Sequence, residues 1–192
     1  MIKIKKEDWP MSKLIAKNVF QLPKMNLLVL TTSAFLLALD VILYKIAIGP
    51  AYFQLSFGFL SMACIGYLYG PIWGGLLEMI SDILSFTIFG SGAFQIAFLL
   101  TAFLGGFIDG LFLYRKSVNW LSVVMTQILV MIFVSLMMDS WLISVLFGTN
   151  FKVLLLGRLA RVIIQIPLQV IAIFYFIKAL EKRHVFDRMR LR

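Results

Sequence analysis

Past its first two dozen residues the chain is a succession of long apolar runs cut by short breaks. The runs at positions 25–45, 53–69, 72–89, 93–114, 120–147 and 151–180 each approach or exceed the roughly 20 apolar residues that a helix needs to cross a bilayer, so the pattern predicts six spanning helices. The breaks fall at IGP (48–50), YGP (69–71), FGSG (89–92), RKSVN (115–119) and GTN (148–150). Gly, Pro and Asn end helices at such places for steric reasons. The expected architecture is an all-α integral membrane protein. A basic segment (1–24) would precede a six-helix membrane domain (25–180), and a basic tail (181–192) would follow it.

Composition supports the same solvent. The chain has 61% hydrophobic residues and 18 phenylalanines in 192, and its mean hydropathy is +0.97, far outside the soluble range. The opening MIKIKKEDWPMSKLIAKNVFQLPK lacks a short apolar core with a small-residue cleavage site, so it does not read as a removable signal peptide. The single cysteine, Cys64, excludes disulfides and Cys-based metal sites within one chain.

Charge placement then sets orientation. Six lysines (Lys3, Lys5, Lys6, Lys13, Lys17, Lys24) precede the first helix, and Arg115 and Lys116 lie between the fourth and fifth. Another six (Lys178, Lys182, Arg183, Arg188, Arg190, Arg192) close the chain. All fall on one side of a six-helix path, with only Lys45 and Lys152 on the other, so both termini are expected in the cytoplasm. The net charge of +9 is therefore a topology signal. A nucleic-acid role would need a basic face on a soluble domain, which the pattern does not contain.

Within the apolar runs, a few polar residues need a reason. At 100° per residue, Arg158, Arg161, Gln165 and Gln169 fall within about 80° of one another on the sixth helix, with the arginines roughly 9 to 15 Å below its outer end. A charge facing lipid there costs several kcal/mol, so the stripe should face a polar cavity or partner charges. Either an internal ion pair fixes the packing, or a solute site occupies the outer half. Glu78, Asp82 and Ser85 share one face of the third helix, and Asp82 lies near the depth of the arginines, where it could pair with Arg158 or Arg161. Asp40 and Asp109 sit near helix ends, where they could snorkel or cap. Glu78 reads as a packing residue, and Asp139 has no evident structural excuse. Phe94 and Trp141 lie at the outer level and could stack on a planar ligand. Aromatic faces, a carboxylate and guanidinium groups together suit a flat, polar, anionic heterocycle.

The missing motifs narrow the mechanism. There is no GxxxxGK[ST] loop, HExxH pair or His/Cys cluster, and the lone His184 lies in the basic tail. An enzyme is not indicated, and no cofactor is called for. A solute-binding membrane protein without its own engine needs one elsewhere.

The strings FGFLSMACIGYLYGPIWGGLLEMISDIL, GAFQIAFLLTAFLGGFIDGLFLYRK and WLISVLFGTNFKVLLLGRLARVIIQIPLQ resemble the substrate-binding S components of energy-coupling factor (ECF) vitamin transporters, in particular the folate-type members. The resemblance covers nearly the whole chain from the first helix. It implies a vitamin-binding subunit of an ECF-type ABC importer in a bacterial-type plasma membrane. That subunit would take solute from outside and dock on a transmembrane coupling protein that carries two cytoplasmic ATPases. Family members dock through an AxxxA pattern in the first helix, matched here by Ala34 and Ala38. If the vitamin is folate, the expected site comprises Asp82, Phe94, Trp141, Arg158, Arg161 and Gln165, with Lys45 or Lys152 near the glutamate tail. The alternatives are another vitamin or precursor (a queuosine precursor, pantothenate, pyridoxine) and a non-transport membrane scaffold.

Overall fold

The computed structural model describes residues 20, 22–48, 55–90, 95–114 and 118–183. Among these residues six helices follow one another in chain order: α1 (Leu27–Lys45), α2 (Gly58–Tyr69), α3 (Pro71–Phe89), α4 (Ala97–Leu113), α5 (Trp120–Phe147) and α6 (Phe151–Lys182). Four are long and apolar enough to cross a membrane, and α2 and α4 are shorter apolar helices. The second helix starts later than expected. Leu55–Ser56 pairs antiparallel with Ala47–Ile48 as strands β2 and β1, a small ladder between α1 and α2. The fourth helix likewise starts at Ala97, after a turn at Ile96.

Side-chain ties show which helix ends meet. Near the start of α1, Thr32 is hydrogen-bonded to Tyr69 at the end of α2, and Trp73 at the start of α3 donates to Ser33 Oγ at 3.0 Å. Tyr67 donates to Glu181 near the end of α6, and Trp120 at the start of α5 meets the Phe174 ring edge-on at 5.1 Å. At the opposite end Lys45 Nζ lies 5.2 Å over the Phe89 ring, joining the ends of α1 and α3. The path is therefore up and down six times, with residues 27 and 182 at one end.

Helix α2 is the axis of the bundle. At 12 residues it is about 18 Å long, too short for a bilayer core of about 30 Å. Ten of its residues are buried, however, so it never has to satisfy lipid along its length. It is apolar on every side, as a helix surrounded by protein should be. Its junction with α3 turns on Gly70, whose φ of 87° only glycine adopts freely, and Pro71 follows at the first helical position, where its missing N–H costs nothing.

Glycines bring α2, α3 and α4 into backbone contact. A Cβ on Gly74 would lie 2.8 Å from the Gly106 carbonyl oxygen, and one on Gly66 would lie 2.8 Å from Gly110 N. Small residues permit such an approach where lipid offers no hydrophobic force to drive association. Ordinary side chains close the rest of the core at the end that holds Leu27 and Lys182: Ile65, Leu113, Val123, Ile173 and Ile177 are all essentially inaccessible.

Two irregularities shape the far half. In α5, residues Leu129–Met138 are wound as a π-helix between α-helical flanks. Such winding turns the following residues relative to a regular helix, and in short pieces it recurs at functional sites. Helix α6 runs 32 residues with Pro167 inside it, and it buries Val162, Gln165, Gln169, Val170, Ile173 and Ile177.

Candidate functional site

Among the described residues, two adjoining cavities open between the helices. The larger, about 500 Å³, is lined by Tyr44 of α1, Asp82 and Phe86 of α3, Phe98 and Thr101 of α4, and Ser135 and Asp139 of α5, among others. The smaller, about 230 Å³, takes its walls from Asp40, Asp109, Gln127, Arg161, Gln165 and Gln169, with further residues between them. Tyr44, Glu78, Gly105, Val130 and Ser135 line both, so they are two lobes of one interior space. The larger lies toward the α1/α3 end marked by Lys45 and Phe89, and the smaller reaches toward the middle of the bundle. They are called the outer and inner lobes below.

Each lobe is built from positions that the helix geometry turns inward. The polar stripe of α6 does face the interior: Gln165 and Gln169 are buried, and Arg161 Nε donates to Gln165 Oε1 at 3.1 Å, one turn away. Arg158 does not line either lobe. It reaches across to α5, where its Nη1 donates to the Ser135 carbonyl at 3.0 Å inside the π-wound stretch. Asp139 on α5 lies within electrostatic reach of both arginines. Asp82, the partner expected for them, lines the outer lobe.

The other expected site residues scatter. Trp141 is 58% exposed on the outside of the bundle and lines neither lobe, because the winding of α5 turns Asp139 and Ser140 inward and Trp141 outward. Lys45 stays at the outer rim against Phe89, and Lys152 is exposed, its backbone N–H capped by Asn150 Oδ1 at 3.0 Å. Phe94 lies outside the described residues. Ala34 and Ala38 are exposed on one face of α1.

The structure adds residues that the sequence reading set aside. Asp40 and Asp109 do not snorkel: both are buried and line the inner lobe. Ser81 donates to the Asp40 carboxylate, and Gly58 leaves room for it, since a Cβ there would stand 2.6 Å from Asp40 Oδ1. Glu78 stands at the junction of the lobes, within electrostatic reach of Asp109, Asp40 and Asp82. Among the described residues the aromatics facing the outer lobe are Tyr44, Phe86 and Phe98. One signal for the acids was present in the sequence, since a carboxyl group within an apolar helix is rarely left without a role. Which way each pointed was not readable. Although the acids converge on one space, no three His, Cys, Asp or Glu among the described residues come close enough to hold a metal ion.

A polar cavity with aromatic walls, inside a bundle whose helices are otherwise apolar, is built to hold a small polar solute. Comparison with known proteins agrees in family. The chain is 29% identical over 157 residues to the folate transporter FolT of Clostridium novyi, covering 81% of this chain and 91% of that protein. It is 29% identical over 161 residues to the folate transporter FolT of Leuconostoc mesenteroides, covering 81% and 86%. A crystal structure of FolT bound with folic acid superposes with a TM-score of 0.72 at 27% identity, over 78% of this chain and 92% of that one. Residues 28–177, which span all six helices, match the family described as ECF transporter, substrate-specific component, and the chain belongs to that family.

Proposed function

We propose that this protein is the folate-binding subunit of an ECF-type importer in a bacterial plasma membrane, with both termini and the flanking basic segments 1–24 and 181–192 in the cytoplasm. The observation that carries the reading is a two-lobed polar cavity in a fold that superposes on a folate-bound relative. Folate is long, with a flat bicyclic ring at one end and two carboxylates at the other. Tyr44, Phe86 and Phe98 offer the outer lobe apolar faces for its aromatic parts. Asp82 accepts N–H groups along the molecule, and the Arg161–Gln165 pair supplies donors deeper in. The carboxylates cannot approach the acids of the cavity without repulsion, so they stay at the rim, where Lys45 provides the positive charge.

The engine is a separate assembly. The exposed Ala34 and Ala38 give α1 a face of small residues on which a helix of the coupling protein, carrying its two ATPases, can pack closely. The first test is titration of the purified protein in detergent with folate, followed by intrinsic tryptophan fluorescence. Saturable one-to-one binding, lost in Arg161→Ala and kept in Lys24→Ala, is the expected result. A response to a different vitamin with none to folate would replace the substrate but keep the subunit, and silence across a vitamin panel would overturn the transport reading.

A further inference from the structure

Helix α6 is longer than a bilayer requires. At 1.5 Å per residue a hydrocarbon core of about 30 Å is crossed in about 20 residues, so a helix of 32 residues that enters beside Lys152 has left the core by about position 172. Its last turns therefore stand in the headgroup layer and beyond it, on the cytoplasmic side in the orientation proposed above. There Trp120 of α5 and Phe174, Lys178 and Lys182 of α6 form one outward patch. The Trp120 and Phe174 rings meet edge-on at 5.1 Å, and Lys178 Nζ lies 4.9 Å from the centroid of the same Phe174 ring. Lys182 follows one turn later on the same face, and Trp120 and both lysines are exposed. Glu181, the one acid in α6, is engaged instead by the Tyr67 hydroxyl of α2. Toward the middle of the membrane the face turns apolar. At 100° per residue the exposed Ile164, Leu168 and Ile171 fall within about 80° of Lys178. Ile164 lies about 15 Å from Phe174 along the axis, half the hydrocarbon core and so the depth of one leaflet.

We propose that this face is a binding site for an anionic phospholipid of the cytoplasmic leaflet, with the acyl chains along Ile164, Leu168 and Ile171 and the phosphate between Lys178 and Lys182. The layout of the face is that of the lipid: an apolar strip one leaflet deep, then aromatic rings, then two ammonium groups. The Phe174 ring holds the Lys178 ammonium against the helix by cation–π attraction, so the charge is in place before a headgroup arrives. Trp120 forms the second wall at the depth where indole rings favour the interface. A zwitterionic headgroup brings its own cation toward the lysines, so the pair selects a lipid with net negative charge. A soluble anion gains the lysines alone, because it has nothing to lay along the apolar strip.

The test is native mass spectrometry of the full chain, released from detergent that contains equal amounts of phosphatidylglycerol and phosphatidylcholine with the same acyl chains. The wild type should retain phosphatidylglycerol over phosphatidylcholine by about twentyfold or more. Lys178→Gln and Lys182→Gln should each lower that preference about fivefold, the equivalent of about 1 kcal/mol per cation at a membrane surface, and the double substitution should bring it near one. Lys24→Gln removes the same charge from the segment leading into α1, outside the patch, and should leave the preference unchanged. Glycerol 3-phosphate, a headgroup phosphate without acyl chains, should not displace the retained lipid at matched concentration. Equal retention of the two lipids by the wild type overturns the site whatever the variants do. An equal drop in Lys24→Gln would reduce the effect to net charge, and displacement by glycerol 3-phosphate would give the patch to a soluble anion; either result overturns the assignment. Folate does not enter the measurement, so its outcome is independent of which vitamin the cavity holds.

Discussion

Two neighbouring glycines on α4 should respond oppositely to the same added methyl group. A Cβ on Gly106 would stand 2.5 Å from the Gly74 carbonyl oxygen, 2.7 Å from its carbon and 3.0 Å from Gly75 N. That is about 0.9 Å inside the 3.4 Å at which ordinary contact begins, and all three atoms are backbone that cannot rotate away. Helices α3 and α4 must separate, at a cost near the upper end of the about 1–3 kcal/mol of overpacking. Alanine returns up to about 1 kcal/mol through helix propensity, so Gly106→Ala is expected to destabilise by about 2 kcal/mol net. At Gly105 the nearest atom to a new Cβ is Glu78 Oε1 at 3.9 Å, so Gly105→Ala gains propensity without a clash and should melt no lower than the wild type. Gly105 lines both lobes, however, and the methyl group narrows the passage between them. Folate affinity should fall roughly five- to tenfold, the effect of about 1 kcal/mol. Thermal unfolding in detergent and folate titration of both variants check the pair. A Gly106→Ala protein as stable as the wild type, or a Gly105→Ala protein with undiminished affinity, would refute the helix contact or the cavity lining respectively.

Three further outcomes follow from named contacts. Arg158→Ala removes the bond to the Ser135 carbonyl and the positive charge beside Asp139, so it should lower stability by about 1.5–3 kcal/mol and weaken folate binding; unfolding and titration of the same preparation would show otherwise if neither changes. Ser81→Ala strips the donor from the buried Asp40 carboxylate and should cost about 1–3 kcal/mol in the same unfolding assay, with unaltered melting counting against the contact. Trp141→Phe should leave folate affinity unchanged because the side chain faces outward; a clear loss would return Trp141 to the site.

Much of this protein was legible along the chain. Six apolar runs with breaks at Gly, Pro and Asn determine the number and order of the helices, because the bilayer demands long apolar segments and backbone breaks demand special residues. The inward face of α6 was legible for the same reason, since arginines and glutamines inside such a run have to avoid lipid. Distances across the bundle were not. The chain does not announce that α2 is the buried axis, that α5 winds as a π-helix, or that Asp40, Glu78, Asp82, Asp109 and Asp139 from four helices line one space. Burial cost says only that each carboxyl group must face protein or water. Which neighbour it faces depends on how far each helix is rotated, and that is decided by contacts such as Gly74 on Gly106, which exist only once the helices have packed. That rotation leaves Trp141 on the outside of the bundle and turns Asp139 into the cavity.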